Sequence, residues 1–340
     1  MKNKYITNLR IDGLFNERNI DIDFKKTTVI VGKNGLGKST ILKLIRALLN
    51  NDKDCNELNF CSKIKLTFSD GSIIESENYH KSINEITKKI ISKILKEQIT
   101  KHLNSIDSKL DINFDESLKL SVNNELKKQI SLDTNFNLKS LRKSEINKIT
   151  MKKETENYLS NECVVSYIST INMSANSFNE IVLSDGVEKN ILNWELESEL
   201  ENLSENENVV QRRKFISVIN ELFSDSNKKI KTIINKRTQK RRFSVYDING
   251  NVIDINYLSS GERQVIYILS KVANASDKFT YFLMDEPEIS LHLAWQENLI
   301  NNIKKINNNC QVIIVTHSPA IVMNGYMDSF VDMKDIYGDM

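Results

Sequence analysis

The stretch GKNGLGKST, residues Gly32–Thr40, decides the fold of this chain. It fits the pattern G-x-x-x-x-G-K-[ST], in which Lys38 and Ser39 stand at the last two fixed positions. The stretch TTVIV at 27–31, which precedes it, is predicted to be a short buried strand, and apolar residues at helical spacing follow it over 41–48. A strand, a glycine-rich turn and a helix form the context in which this motif binds phosphates. We therefore predict that the chain binds a nucleoside triphosphate.

Each part of the motif has a chemical role. Backbone N–H groups of a glycine-rich turn can surround a phosphate chain, and the N-terminus of the following helix adds partial positive charge. Lys38 is predicted to reach the β- and γ-phosphates, and the Ser39 hydroxyl is predicted to be a ligand of Mg²⁺. The predicted ATP-binding residues of this stretch are Gly32, Asn34, Gly35, Gly37, Lys38, Ser39 and Thr40.

Two further stretches supply candidate catalytic groups. The apolar run 281–284 ends in Asp285 and Glu286, and the apolar run 312–315 leads to His317. We expect Asp285 to hold Mg²⁺ opposite Ser39, and Glu286 to polarise the attacking water as a general base. His317 is expected at the same sheet edge, where it can donate a hydrogen bond to the γ-phosphate.

A fourth stretch, LSSGERQ at 258–264, precedes a predicted helix. The hydroxyls of Ser259 and Ser260 and the amide of Gly261 are therefore expected at a helix N-terminus, where they can bind a terminal phosphate.

Composition limits the class of protein. The 340 residues are 40% hydrophobic and 27% charged, with a formal charge of +2. This near-neutral balance argues against attraction of the whole protein to nucleic acid, although a local patch is compatible with it. The cysteines are scattered, which is typical of free thiols in a reducing compartment. Without an apolar leader or a run of about 18 apolar residues, we expect a cytoplasmic protein with no membrane partner.

The order of motifs predicts an α/β head with a mixed, largely parallel sheet flanked by helices, an antiparallel β subdomain and a helical insertion. Residues 1–77 are predicted to form the N-terminal lobe with the phosphate loop, and 161–340 the C-terminal lobe. Residues 78–160 contain no proline or glycine and keep a weak helical rhythm, which favours a helical insertion. A disordered tract is the alternative for this segment.

An acidic and then a basic segment occupy 187–243. The basic part, 211–243, contains eleven Lys or Arg against only Glu221 and Asp225. It is the candidate DNA-binding patch of the chain. A solvated face, or a surface that pairs with the acidic segment, explains the same pattern.

The four stretches, in this order, resemble the ATP-binding-cassette ATPases. LSSGERQ resembles the signature of that family, Asp285 and Glu286 its Walker B pair, and His317 its switch histidine. The resemblance implies that two heads close on two ATP molecules, so the chain should form a homodimer or a higher even oligomer. It also implies that Ser259 and Gly261 touch the γ-phosphate bound by a second copy. The D-loop of the family should fall at 289–292.

The chain is similar to one branch of that family in particular. Lys38 and Leu258 are 220 residues apart, a spacing found in the RecF, SMC and OLD (overcoming-lysogenisation-defect) branch rather than in transporter cassettes. DEPEISLHLAWQ and VTHSPAIV resemble the OLD-like ATPases of bacterial anti-phage systems, including the Septu and retron ATPases. Three departures are His292 for a frequent Asp, Leu293 for a frequent Pro, and Glu262 for the signature Gln. The glutamine loop of the family is expected within 169–172.

OLD nucleases continue into a metal-binding Toprim domain. Fifteen residues follow Gly325 here, which leaves no room for one, so we expect any nuclease to be another polypeptide.

Two functions compete. The first is an ATPase subunit of a bacterial anti-phage defence complex that dimerises on ATP and senses or regulates a separate effector such as a nuclease. The second is a DNA-repair or chromosome-associated ATPase that clamps DNA with residues 211–243. A transporter subunit is disfavoured by the motif spacing.

Overall fold

The structure is a computed structural model of the chain. It describes residues 3–15, 18–78, 147–169, 180–182, 188–205, 207–234, 240–275 and 277–336, with the backbone alone at 180–182 and 188–190. Of the predicted helical insertion, residues 79–146 lie outside the described residues.

A five-stranded parallel sheet forms the centre of the head, in the order β15-β3-β14-β13-β7. All seven residues of β13 and all seven of β14 are buried. Strands with long apolar stretches are typical of a parallel sheet that is covered on both faces. The strands are β3 (Thr27–Val31), β7 (Cys163–Ser169), β13 (Phe279–Asp285), β14 (Cys310–Thr316) and β15 (Phe330–Asp332).

A second, antiparallel sheet has the order β2-β1-β4-β5-β6. Its strands alternate buried and exposed residues, which is typical of a sheet with one face on the core and one face in water. The strands are β1 (Ile6–Leu14), β2 (Arg18–Asp23), β4 (Lys63–Phe68), β5 (Ile73–Asn78) and β6 (Asn147–Met151).

The helices cover the parallel sheet on both sides, and alternate residues of its strands contribute to two separate cores. Phe282 and Met284 pack with helices from the region 191–306, whereas Tyr281 and Leu283 pack with the helix at 38–49 and the antiparallel sheet. The helices are α1 (Lys38–Leu49), α2 (Lys153–Asn161), α3 (Ile191–Glu205), α4 (Val209–Leu222), α5 (Ser260–Asn274), α6 (Leu293–Ile306) and α7 (Ala320–Met323).

Two smaller antiparallel sheets are also present among the described residues. Strands β8 (Glu180–Val182) and β9 (Glu188–Asn190) pair with each other. Strands β10 (Lys229–Ile234), β11 (Arg241–Tyr246) and β12 (Val252–Ile253) form an antiparallel sheet.

The predicted α/β head is confirmed, and among the described residues the structure adds β6, β8, β9, β10 and β15, which the sequence pattern did not indicate. Residues 147–151, within the predicted insertion, form β6, which pairs with β5. Near the C-terminus, β15 pairs in parallel with β3, the strand that leads into the phosphate loop. All four cysteines are free thiols. In the described ranges we find no helix that is both long and apolar enough to cross a membrane.

Candidate nucleotide site

The phosphate loop connects β3 to α1, which begins at Lys38. Gly35 and Gly37 have positive φ angles of 79° and 86°, a conformation that glycine adopts without steric cost. A Cβ added to Gly32 would lie 2.7 Å from Cβ of Met333, the residue that follows β15. The loop therefore takes its conformation from its glycines, and Gly32 packs closely against Met333.

Lys38 is buried beneath this loop, with 5% of its surface exposed. Its Nζ donates to the Lys33 carbonyl at 3.0 Å and lies 2.9 Å from Nε2 of His317. Burial lowers the pKa of Lys38, and the carboxylates of Glu286 and Asp285 oppose that effect. A cation held in this way suits a phosphate, which would supply the negative charge that a buried ammonium needs.

Asp285 ends β13 and is 1% exposed. Its Oδ1 accepts a hydrogen bond of 2.8 Å from Oγ of Ser39, and its Oδ2 accepts one of 3.1 Å from the Tyr167 hydroxyl. Burial and the Asp285 carboxylate raise the pKa of Tyr167 well above its usual value, so this hydroxyl stays protonated and donates. The adjoining hydroxyl and carboxylate oxygens of Ser39 and Asp285 are the hard donors that Mg²⁺ prefers, so this pair fits the ion.

Glu286 and His317 lie together at the carboxyl ends of β13 and β14. Nε2 of His317 is 3.1 Å from Oε1 of Glu286, besides its contact with Lys38. Because one ring nitrogen offers either a lone pair or a proton, it accepts from Lys38 or donates to Glu286 but cannot do both. Glu286 has a positive φ of 51°, an uncommon conformation for a non-glycine residue that is concentrated at functional sites.

Glu288 provides a second carboxylate, after that of Glu286, that contacts His317. Its Oε1 accepts a hydrogen bond of 2.9 Å from the backbone N–H of His317. Its Oε2 is buried with no hydrogen-bond partner among the residues described. Glu288 thus fixes the main chain of His317, whose side chain contacts Lys38 and Glu286.

The signature stretch caps α5. Oγ of Ser259 accepts from the backbone N–H of Glu262 at 3.2 Å, and Oε2 of Glu262 accepts from the backbone N–H of Ser259 at 2.9 Å. This reciprocal pair is a capping box, which fixes the conformation of a helix N-terminus. Ser259 itself is exposed, whereas Glu262 is buried. The Glu that replaces the signature Gln therefore has a structural role in this chain.

The turn after Glu286 contacts the helix that follows the signature. A Cβ added to Gly261 would lie 2.5 Å from the carbonyl oxygen of Ser290, whose φ is 68°. Nε2 of Gln264, in α5, donates to the Pro287 carbonyl at 2.7 Å. The predicted D-loop at 289–292 thus packs directly on the signature helix.

The structure divides the predicted site residues into two groups. In the first group, side-chain contacts join Lys38, His317 and Glu286, and Ser39 contacts Asp285, whose carboxylate also acts electrostatically on Lys38. None of the contacts found for Ser259, Ser260 and Gly261 involves the phosphate loop, as far as the described ranges extend. The expected glutamine-loop region retains only Ser169 among the described residues, because 170–172 lie outside them.

Sequence reasoning missed Tyr167, Glu288 and Met333. Glu288 stands two residues after Glu286, so the acidic spacing was a usable signal. Tyr167 lies inside an apolar strand, and Met333 follows a three-residue strand, so neither is marked by a motif.

Comparison with known proteins decides the family. A model described as an AAA ATPase domain matches residues 5–322 of the chain. The chain belongs to this family. It is accordingly an ATPase, and membership of this family confirms that the chain binds a nucleotide.

Individual relatives agree with this assignment. The chain is 24% identical to the Retron Vc95 probable ATPase of Vibrio cholerae serotype O1 biovar El Tor, over 88% of this chain and 67% of the relative. It is 23% identical to the endonuclease GajA of Bacillus cereus (strain HuB5-5), over 87% of this chain and 52% of GajA. The chain thus spans about two thirds of one relative and about half of the other.

The predicted head fold is confirmed by a solved structure. An SMC head bound to the C-winged helix domain of ScpA superposes with a TM-score of 0.51 at 14% identity, covering 94% of this chain and 91% of that chain.

Proposed function

We propose that the chain is an ATP-hydrolysing subunit that dimerises on ATP and regulates a separate effector, a nuclease, in a bacterial anti-phage defence complex. One observation carries the proposal. The side chains of five predicted residues lie together at the phosphate loop: Lys38, Ser39, Asp285, Glu286 and His317. Ser259, which caps the signature helix, is exposed and has no contact with that loop among the described residues.

The converged groups suit hydrolysis. Lys38 and the loop amides bind the phosphates of ATP, and Ser39 and Asp285 are the residues that would hold Mg²⁺. When bound, Mg²⁺ neutralises charge that develops on the phosphoryl oxygens. Glu286 accepts a proton from the attacking water, and His317 donates a hydrogen bond to the terminal phosphate. Tyr167 keeps the Asp285 carboxylate oriented towards Ser39.

The separation of the signature from the phosphate loop favours completion of the site by a second copy. Ser259 is exposed at the N-terminus of α5, and Gly261 lies beside it under the Ser290 carbonyl. A helix N-terminus attracts an anion, so this end of the head can receive the terminal phosphate of an ATP held elsewhere. In a symmetric dimer each copy would both supply and receive such a contact.

The relatives support the proposed cellular role. One is named a retron ATPase and another an endonuclease. We propose on the basis of these names that the ATPase state of the chain controls a nuclease.

A phage challenge tests this function. Cells that express the chain together with its neighbouring genes are expected to resist phage infection, measured as efficiency of plating. Lys38→Ala should abolish protection, because it removes the buried cation of the phosphate site. Lys33→Ala is the matched control, because only the backbone carbonyl of the exposed Lys33 contacts Lys38. Undiminished protection by Lys38→Ala, or none by the unaltered set of genes, would contradict the proposed role.

A DNA-binding ATPase of the RecF or SMC kind is the second candidate. Lys240, Arg241 and Arg242 line one groove, which favours it, but Glu197 and Glu201 line the same groove. Lys240 also pairs with Glu205 at 3.3 Å.

Elsewhere in the basic segment, Arg212 is buried and donates to the Ser204 carbonyl. Arg237, which also belongs to this segment, lies outside the described residues. The described part of the basic segment thus pairs in several places with the acidic helix α3, which favours the first function.

DNA binding by the purified chain separates the two candidates. Tight binding that weakens steeply with salt, and that is lost on neutralising Arg241 and Arg242, would favour the DNA-binding ATPase. Weak binding that is unaffected by these substitutions would favour the defence subunit.

A further inference from the structure

The signature helix is tied to a lysine outside the signature. Nζ of Lys228 donates to both carboxylate oxygens of Glu262, at 2.8 and 2.9 Å. The same Oε2 of Glu262 accepts from the backbone N–H of Ser259. Lys228, Glu262 and Ser259 therefore form one continuous chain of hydrogen bonds that ends on the exposed signature serine.

Lys228 reaches this position from the turn between α4 and β10. Its backbone N–H donates to the Phe223 carbonyl, and the preceding Asn227 has a positive φ of 54°. Asp225 and Ser226 of the same turn line a cavity of about 300 Å³. The other residues that line this cavity include Ser259, Gly261, Ser290 and His292. The turn thus forms part of the rim of the surface that the signature presents.

The ion pair is needed because Glu262 is buried. Side-chain exposure is 6% for Glu262 and 23% for Lys228. Burial disfavours the ionised carboxyl, but hydrogen bonds from Lys228 and from the Ser259 backbone outweigh it and lower the pKa of Glu262. Removal of one partner of a buried pair leaves an uncompensated charge, which must protonate or reorient. Either change alters the contact between Glu262 and the Ser259 backbone.

We propose that Lys228 is a positioning residue for the signature, which holds Ser259 through Glu262 in the orientation that receives the terminal phosphate of ATP bound to a second copy. The inference rests on the proposed ATP-driven dimer and names a residue on which closure of that dimer depends. It differs from a direct role, in which the Lys228 ammonium itself contacts the phosphate.

Four variants test the inference: Lys228→Met, Lys229→Met, Glu262→Gln and the double variant Lys228→Met/Glu262→Gln. Lys229 is the matched control, because it is the next residue, is exposed and carries the same charge. Sedimentation velocity with a non-hydrolysable ATP analogue gives the dimer dissociation constant. Analogue binding measured at protein concentrations below that constant gives the affinity of the monomer.

Lys228→Met is expected to weaken the dimer by about tenfold or more, as loss of a hydrogen bond to a charged group implies. Its monomer affinity for the analogue should stay within about twofold, since Lys38 and Ser39 are untouched. Lys229→Met should match the unaltered protein. Glu262→Gln keeps an oxygen for the Ser259 N–H and needs no counter-ion, so the double variant should regain most of the dimer affinity.

Rescue by Glu262→Gln distinguishes positioning from direct contact and covers the case in which Lys228→Met folds poorly. Equal dimer affinity for Lys228→Met and the unaltered protein would overturn the inference and leave the proposed function standing. If the double variant dimerises as weakly as Lys228→Met, the positioning role is overturned in favour of direct contact between Lys228 and the phosphate. Failure of the unaltered protein to dimerise with the analogue would overturn the proposed function as well.

Discussion

The phosphate-loop end of the head, at Lys38 and Asp285, and the signature end, at Ser259, differ in the contacts that their polar side chains make. At the phosphate loop, Ser39 contacts Asp285 at 2.8 Å, and His317 lies about 3 Å from both Lys38 and Glu286. These groups come from separate elements and face one another. At the signature, the bonds of Ser259 stay within its own cap, and the residue itself is exposed.

This difference indicates that the two ends have different roles. The first end assembles groups that can bind and hydrolyse ATP, with side chains preorganised by mutual contacts. The second end is preorganised by Glu262 and Lys228 but presents outwards the helix N-terminus at which we propose that a phosphate binds. The turn from Glu286 to Ser290 connects them, because it touches His317 at one end and Gly261 at the other. Coupling between ATP and a second copy is expected to pass through this turn.

Glu286→Gln should give the largest effect at the phosphate-loop end. The amide cannot accept a proton from water, so we expect turnover to fall by about 100-fold or more. ATP binding should persist, and the dimer should accumulate because hydrolysis no longer ends its lifetime. Turnover is measured by phosphate release and the dimer by size-exclusion chromatography. Unchanged phosphate release would remove Glu286 from the proposed mechanism.

Gly261→Ala tests the contact between the two ends. Its Cβ would lie 2.5 Å from the Ser290 carbonyl oxygen, so the turn must move. Displacements of about 1 Å near a catalytic group can lower rates by about 100-fold, and we expect a loss of that order in turnover. Affinity for ATP at the phosphate loop should change little. If both quantities stay at their original values, the turn does not couple the two ends.

Tyr167→Phe should give the smallest effect. It removes the hydrogen bond to Asp285 but keeps the aromatic ring beneath Arg46. Loss of one hydrogen bond to a carboxylate predicts Mg²⁺ binding about three- to tenfold weaker, measured by competition with Mn²⁺ in electron paramagnetic resonance. Tyr158→Phe, which also removes a hydroxyl but lies away from Asp285, is the control. Equal metal affinity in both variants would show that Tyr167 does not orient Asp285.

Much of the fold follows from local sequence. The strands that carry Val29, Phe282 and Ile314 each contain a short apolar run, and the phosphate loop is marked by glycines at fixed spacing. These signals lie within a few residues of one another, so they can be found without knowledge of the tertiary structure.

The missed features depend on contacts between distant parts of the chain. Strand β6 pairs with β5 across 79–146, and Lys228 meets Glu262 from 34 residues away. Tyr167 contacts Asp285 only because β7 and β13 are parallel neighbours, with Ser169 paired to Asp285. Register between strands of this kind cannot be deduced from alternation within one strand.

A mixing experiment tests the central claim that one copy completes the site of another. Lys38→Ala removes the phosphate contact, and Ser259→Arg blocks the signature, so each variant alone should be inactive. In a mixed dimer, the loop of one copy and the signature of the other are both unaltered. An equimolar mixture should regain about a quarter of the original ATPase activity, since half of the randomly formed symmetric dimers carry one intact site. Full activity of Ser259→Arg alone, or no recovery from well-folded variants, would contradict the claim.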